Sequence, residues 1–223
     1  MGTINVLIVE DEPLITDLLK QIFKQLSEDH DKDFKLHIAL DCDAAIQKIE
    51  QAVLGKPFDL ALVDVNIPAS KDMHILSGED IAMELRNYFN KIKIIIYTSN
   101  NDNYRLNNIL HTINPDGFLI KSDIGYKTLV EAIMKVVDSP PYYSNTILNL
   151  IRKHISSDFV IDNIDRLLLY ELSKGTRTKD LPNFVNLSKG GVEKRKRHLK
   201  EVFDVEGKGD KRLIQIAKEK GYI

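Results

Sequence analysis

The feature that most constrains the fold is a regular alternation of short apolar runs with helix-period segments over the first 138 residues. The apolar runs are typical of β-strands and lie at 4–9, 35–40, 59–65, 93–99 and 117–121. The amphipathic segments between and after them predict helices over 14–26, 43–54, 78–89, 103–113 and 127–138. Repeated strand-helix units predict a doubly wound, five-stranded parallel sheet with helices on both faces and right-handed crossovers.

A part of different character follows a break that contains two prolines. The segment DSPPYYS (138–144) interrupts the helical pattern, so we place a linker with a connecting helix over 139–160. Residues 161–223 contain no useful strand pattern and are predicted to be all-α. Their helix-period segments are 162–174, 178–186, 189–203 and 210–220. The predicted domains are therefore 1–138 and 161–223.

The net charge of −2 conceals an asymmetry between these two parts. Residues 1–138 contain 14 Lys/Arg and 22 Asp/Glu, a charge of −8, whereas 139–223 contain 17 and 11, a charge of +6. Only the second part suits a polyanion such as nucleic acid. The single cysteine, Cys42, excludes an internal disulfide, and no apolar run approaches the roughly 18 residues of a membrane span. We expect a cytoplasmic protein without a membrane partner.

Polar residues collect at the predicted carboxyl ends of the strands. Glu10 and Asp11 follow the first strand, and Asp64, Thr98 and Lys121 end the third, fourth and fifth. Ligands of open parallel sheets bind outside these ends, so we expect the five side chains to meet. Three carboxylates repel one another unless they share a cation, and Mg²⁺ prefers such oxygen ligands. A lysine and a hydroxyl suit a phosphoryl group on a carboxylate, which predicts a phosphoryl-accepting site.

Two other sites compete with this interpretation. A nucleotide-binding turn needs glycines after the first strand, whereas Glu10-Asp11-Glu12-Pro13 places three acids there, which would repel phosphate. A phosphatase with an aspartyl-phosphate intermediate commonly has a second acid two residues after its nucleophile, and here that residue is Asn66, which cannot act as a general acid. The pattern favours a protein that is not an enzyme.

The segments that hold these residues resemble the receiver domain of two-component response regulators. They are VEDE (9–12), LVDVNIP (62–68), IIIYTSN (94–100) and GFLIKS (117–122), and the resemblance covers about 3–138. It implies a flavodoxin-like fold and a sensor histidine kinase as partner. By this resemblance Asp64 is the phosphoacceptor, Glu10, Asp11, Asp64 and the backbone carbonyl of Asn66 hold Mg²⁺, Thr98 and Lys121 contact the phosphoryl group, and Phe118 is the switch aromatic.

One departure from the receiver pattern lies beside the phosphoacceptor. The family usually has glycine about four residues after the proline that matches Pro68, but here Gly78 lies ten residues after it. Residues 69–77 therefore look like an insertion.

The segment 189–203 predicts a helix with one apolar and one basic face. Val192, Leu199 and Phe203 fall on one side, and Ser188 precedes the segment as a predicted N-cap. Asp162 is the predicted N-cap of the helix over 162–174, and Gly175 its left-handed C-terminal residue. A helix that is buried on one side and basic on the other suits insertion into the DNA major groove, although a charge run is also typical of a solvated surface helix.

Residues from about 161 to 223 resemble the helix-turn-helix DNA-binding domain of LuxR/NarL-type regulators. The matching segments are GTRTKDL (175–181), LSKGGV (187–192) and AKEKGYI (217–223). The resemblance implies double-stranded DNA as a partner and a homodimer after phosphorylation. The implied DNA-binding residues are Lys179, Ser188, Lys189, Glu193, Lys194 and Arg197. The alternative is a phosphorylation-controlled module whose C-terminal helices bind a protein partner.

Overall fold

The structure, a computed structural model, describes residues 2–30, 32–71, 75–155 and 161–223. Two compact units are present: residues 1–100 with 109–147, and residues 101–108 with 148–223. Residues 72–74 of the apparent insertion and 156–160 of the predicted linker lie outside the described residues. Within the described ranges, no helix has both the length and the apolar character needed to cross a bilayer.

The first unit is built on a parallel sheet, and all five predicted strands and five predicted helices are confirmed. The strand order is β2-β1-β3-β4-β5-β6. The strands are β1 (Ile4–Val9), β2 (Phe34–Ala39), β3 (Leu60–Asp64), β4 (Lys93–Thr98), β5 (Gly117–Ile120) and β6 (Tyr142–Tyr143). The five predicted helices of this part of the chain are α1 (Pro13–His30), α2 (Cys42–Leu54), α3 (Gly78–Tyr88), α4 (Asn103–Thr112) and α5 (Tyr126–Asp138), and residues 103–108 of α4 belong to the second unit. Helix α1 is four residues longer than predicted at its C-terminal end.

The central strands are buried on both faces, as continuous apolar runs predict for a parallel sheet. One set of alternating strand residues packs with α1 and α5 into a single core. Its strand members are Val6, Ile8, Leu60, Leu62, Ile95, Tyr97 and Leu119. The residues between them, such as Leu7, Ala61 and Ile96, are fully buried on the opposite face. Side chains at the strand ends are therefore fixed by a core on each side.

The prediction of five strands is wrong by one, because β6 adds a short parallel strand beside β5. Gly117 pairs with Tyr142, and Phe118 pairs with Tyr143. The amide of Ser144 donates to the Phe118 carbonyl at 3.0 Å, and its hydroxyl accepts from the Ile120 amide at 3.1 Å. A strand of two residues directly after two prolines shows no alternation that a sequence pattern could reveal, so the sequence places it in the linker.

The remaining helices are α6 (Asn145–Ile155), α7 (Asn163–Ser173), α8 (Lys189–Val202) and α9 (Asp210–Glu219). Helix α6 lies within the span 139–160, where the sequence predicts a helix. The predicted caps are also confirmed: the Asp162 side chain accepts from the Asp165 amide, the Ser188 hydroxyl accepts from the Gly191 amide, and Gly175 has a φ of +91°. Apolar residues of α7, α8 and α9 share one core with the C-terminal Tyr222 and Ile223.

The predicted helix over 178–186 is wrong, since the described backbone contains only a 3₁₀ turn at Leu181–Asn183. Its amides bond three residues back, as from Asn183 to Asp180 and from Phe184 to Leu181. Pro182 has no N–H to donate, and it disfavours the helical conformation of the residue before it. The amphipathic pattern overlooked this constraint.

Helix α3 begins against the backbone of β3, and only glycine fits at its first position. A Cβ on Gly78 would lie 1.9 Å from the Asp64 carbonyl oxygen and 2.9 Å from a methyl carbon of Val63. The Gly78 amide also donates to the Val65 carbonyl at 3.1 Å. This close approach explains why a glycine is needed here, whatever the length of the segment that precedes it.

Replacing Gly78 with alanine should lower the free energy of unfolding by about 2 to 3 kcal/mol, because the added methyl group overlaps the β3 backbone. Gly125→Ala is the control, since a methyl group added there would have no atom within 4 Å, and it should change stability by less than about 1 kcal/mol. Urea unfolding followed by circular dichroism measures both. Equal stabilities for the two variants would contradict the close approach.

Candidate functional site

Three of the predicted carboxylates meet at the carboxyl edge of the sheet. Glu10 follows β1 and is fully buried, Asp64 ends β3 with 2% exposure, and Asp11 is exposed. Each can offer one oxygen within 4.8 Å of the others. The sheet order places β1 and β3 side by side, so the loop after one strand and the end of the other face the same space. The sequence-based prediction that these acids cluster is confirmed.

Lys121 lies among the acids and supplies their counter-charge. Its ammonium is 2.8 Å from Asp64 Oδ2, 3.1 Å from Glu10 Oε2 and 3.4 Å from Glu12 Oε1. Strand β4 lies between β3 and β5, so the lysine side chain reaches across β4 to contact Asp64. The Lys121 ammonium lies 5.2 Å from the ring centroid of Tyr97 on β4, within the range of a cation-π contact.

Burial and pairing have opposite effects on the ionisation of these groups. Burial raises the pKa of Glu10, while hydrogen bonding by the Glu12 amide and interactions with Tyr97 and Lys121 oppose that rise. Burial works against a charged Lys121, but its hydrogen bond and attraction to Asp64, with a further contribution from Glu10, raise its pKa overall. Lys121 is therefore a fixed positive charge at neutral pH.

Asn66 and Thr98 lie at the strand ends beside this acidic cluster, and Phe118 lies within the neighbouring strand β5. The Asn66 amide donates to Asp64 Oδ1 at 3.0 Å, which orients that carboxylate. Thr98 is fully buried at the end of β4, and its hydroxyl accepts from the Asn100 amide at 3.0 Å. Phe118 is fully buried in β5, at the point where β6 pairs. Thr98 and Phe118 are thus on neighbouring strands, with Thr98 at the end that faces the site.

The donor set fits a magnesium ion. All candidate ligands are hard oxygens, and three carboxylates facing one ammonium leave a net negative charge in the crevice. A divalent cation would remove the repulsion among them. Glu10, Asp11 and Asp64 are the side chains that could hold it.

Two residues of the site were missed by sequence reasoning. Glu12 contacts Lys121, and its amide donates to Glu10 Oε1 at 3.0 Å. Tyr97 pairs in register with Asp64, although the sequence pattern marks it only as part of an apolar strand. Its position could have revealed it, because side chains of paired residues on adjacent strands point to the same face.

A second candidate site is the exposed face of α8 together with Lys179 and Ser188, which precede the helix. Each residue predicted to bind DNA is exposed to solvent. These residues are Lys179, Ser188, Lys189, Glu193, Lys194 and Arg197. Val192 and Leu199 are buried on the other side of the helix, as predicted. Ser188 also caps the helix, which accounts for its hydroxyl without any external ligand.

The structure divides the cations of α8 into two groups. Arg195 contacts Asp162 at 2.6 Å and Asp165 at 2.8 Å, and is therefore paired within the fold. Lys196 is buried and lies 2.8 Å from Asp210, which Lys200 also contacts at 2.9 Å. The lysines and arginine of the exposed set, by contrast, form no ion pair with any described residue. Their charges remain available to an external anion.

Comparison with known proteins identifies the first unit. The sequence model of the response regulator receiver domain matches residues 6–134. No curated protein matches the sequence. A solved RcsB-DNA complex shares 16% identity with a TM-score of 0.62, covering 97% of this chain and 98% of that chain. A structure of RcsB from Salmonella enterica serovar Typhimurium, bound to promoter rprA in the presence of phosphomimetic BeF3⁻, shares 17% identity with a TM-score of 0.54. That match covers 97% of this chain and 99% of the RcsB chain. At these identities the likeness establishes the fold.

Removal of the Lys121 charge should strengthen Mg²⁺ binding, because its ammonium occupies oxygens of Asp64 and Glu10 and repels a cation. We expect Lys121→Ala to bind Mg²⁺ about three- to tenfold more tightly, a change of roughly 1 kcal/mol. Isothermal titration calorimetry measures the affinity. Lys20→Ala, which removes an exposed lysine of α1, should bind Mg²⁺ as the unmodified protein does. Weaker binding by Lys121→Ala would contradict this arrangement of charges.

Proposed function

The chain belongs to the response regulator receiver domain family, and from this premise we propose a two-component response regulator that binds DNA under the control of phosphorylation at Asp64. The proposed domains are a receiver over 1–138, a linker over 139–160 and a LuxR-type DNA-binding domain over 161–223. The observation that carries the proposal is the buried Asp64 carboxylate held between a lysine and two further acids.

The site has the parts needed to accept a phosphoryl group. Asp64 would attack the phosphorus of a sensor kinase phosphohistidine, so that a carboxylate oxygen-phosphorus bond forms and the nitrogen-phosphorus bond breaks with imidazole leaving. Lys121 would then turn to the phosphoryl oxygens, a role that its observed position beside Asp64 supports. Mg²⁺, held by Glu10, Asp11, Asp64 and the Asn66 carbonyl, would neutralise charge on the incoming group. The chain's part is to bind and orient the donor.

The response to phosphorylation is proposed to pass through Thr98 and Phe118. Thr98 ends the strand beside Asp64, and its hydroxyl is held only by a local backbone amide among the described contacts. A phosphoryl oxygen could take that hydroxyl as a donor and thereby favour one of two conformations. Phe118, on the adjacent strand, is the aromatic whose packing would report the change.

The exposed cations of α8 support DNA as the ligand of the second domain. Lys189, Lys194 and Arg197 project from a helix whose other side is buried, as a groove-binding helix requires. Structures of RcsB show that protein as dimers bound to DNA. By analogy we propose that phosphorylation favours a homodimer of this chain on double-stranded DNA. A cytoplasmic location follows from this proposal, because DNA and kinase phosphodonor meet there.

Replacing Asp64 with asparagine should abolish labelling by acetyl phosphate in the presence of Mg²⁺, because an amide is neither a nucleophile nor an anionic metal ligand. Phosphoprotein mass spectrometry measures the labelling. Asp17→Asn, at an exposed acid of α1, is the control and should be labelled normally. Full labelling of a folded Asp64→Asn protein would place the phosphoacceptor elsewhere.

Replacing the exposed cations Arg197 and Lys179 should reduce affinity differently on specific and on random DNA. Arg197→Ala should weaken binding to a selected operator about ten- to a hundredfold and to random DNA little, if Arg197 reads a base. Lys179→Ala should weaken both and lower the salt dependence by about one unit, as expected for a phosphate contact. Lys218→Ala removes an exposed cation of α9 and is the matched control.

Fluorescence anisotropy at two salt concentrations measures these affinities. Equal losses on both DNAs for Arg197→Ala would reject base recognition by this residue. Unchanged binding to both DNAs by the Arg197 and Lys179 variants would instead favour the alternative, in which the C-terminal helices bind a protein partner.

A further inference from the structure

Tyr97 places a phenol beneath the acidic cluster, where the strand pattern predicts only a core residue. The residue is 3% exposed, and its ring packs in the core shared with α1 and α5. It is paired in register with Asp64, and the Lys121 ammonium lies 5.2 Å from its ring centroid. Its hydroxyl interacts with Glu10 and works to lower the pKa of that carboxyl against the effect of burial.

The hydroxyl of Tyr97 is nevertheless incompletely satisfied. Among the described residues, it has no hydrogen-bond partner at good geometry, although it is buried away from solvent. A buried polar atom without a full hydrogen bond is unfavourable, and such atoms in folded proteins call for an explanation. Burial also raises the pKa of Tyr97 well above its ordinary value, so the group stays protonated and can only act as a neutral donor or acceptor.

Glu10 depends on a donor that the proposed reaction takes away. Its Oε1 accepts from the Glu12 amide, and its Oε2 accepts from the Lys121 ammonium at 3.1 Å. Lys121 is also the group that would turn to the phosphoryl oxygens on Asp64. Glu10 is fully buried, so that movement would leave the Glu12 amide as the protein donor that holds this carboxylate in the orientation needed to meet Mg²⁺.

We propose that Tyr97 is a positioning residue of the phosphoryl site, whose hydroxyl donates to Glu10 when Lys121 moves from Glu10 to the phosphoryl group. The inference rests on the proposed function and adds a residue to it. The Lys121 ammonium lies over the Tyr97 ring and 3.1 Å from Glu10, so the hydroxyl and the carboxylate flank the same ammonium, and its departure would let one approach the other. Glu10 then keeps its orientation in the phosphorylated state.

Tyr97→Phe tests this, because it removes the hydroxyl and keeps the ring. Beryllofluoride is the probe of the phosphorylated state, and its affinity at fixed Mg²⁺ is measured by isothermal titration calorimetry on the full chain. We expect about tenfold weaker binding, the order expected for loss of one hydrogen bond to a charged group. Urea unfolding without Mg²⁺ or beryllofluoride should give a midpoint equal to or above that of the unmodified protein, since an incompletely bonded hydroxyl is lost.

These opposite effects separate a positioning role from a structural one, because loss of packing would lower stability and affinity together. Tyr88→Phe is the control at an exposed tyrosine at the end of α3, and both of its values should be unchanged. Unchanged beryllofluoride affinity in Tyr97→Phe overturns the proposal, and so does a fall in affinity that is matched by a lower unfolding midpoint. Failure of the proposed function is distinguishable, since beryllofluoride would then not bind the unmodified protein either.

Discussion

The site depends on one ion, the Lys121 ammonium that lies between Asp64 and Glu10. Removing a carboxylate from water costs several kcal/mol, and an attraction of similar size is needed to keep it ionised. The Lys121 ammonium contacts both buried acids, and at Glu10 it opposes, together with the Glu12 amide, the rise in pKa that burial causes. These contacts form because the sheet fixes the ends of β1, β3 and β5 along one edge. The continuous apolar strands and the ionic site are therefore two aspects of one arrangement, in which a rigid core holds charges that would otherwise be solvated.

The same principle divides the basic helix of the second unit into structural and available charges. Arg195, Lys196 and Lys200 are bound by carboxylates of α7 and α9 and of the residue before α7, so they fix the packing of α8. Lys189, Lys194 and Arg197 are left to face outward. The charge of +6 counted over 139–223 therefore overstates what an external ligand encounters on this helix, and the sequence alone cannot make the distinction.

Sequence patterns predicted every long element because hydrophobic periodicity reflects burial directly. The clustering of Glu10, Asp11 and Asp64 was predictable for a related reason, since the end of each strand can be recognised in the sequence and parallel strands end at one edge. Strand β6 could not be predicted because two residues are too few to show a period. The ion pairs of Arg195 and Lys196 could not be predicted because their partners lie outside α8. The prediction of a helix over 178–186 was wrong because Pro182 lacks an N–H donor and restricts the residue before it, which the apolar pattern does not reflect. Tyr97 was missed because an aromatic residue in a strand is ordinarily core.

Strand β6 has a consequence for how copies of this chain can meet. An open sheet edge invites pairing with another chain, and proteins limit this risk with short edge strands and prolines. Here the hydrogen-bonding edge of β5 is covered by a strand of two residues, preceded by two prolines that lack N–H donors. At the opposite edge, β2 carries the exposed Lys35. Continuous β-sheet extension from one molecule to the next is thereby disfavoured at both margins, so the sheet resists fibrous aggregation and leaves association to helix surfaces.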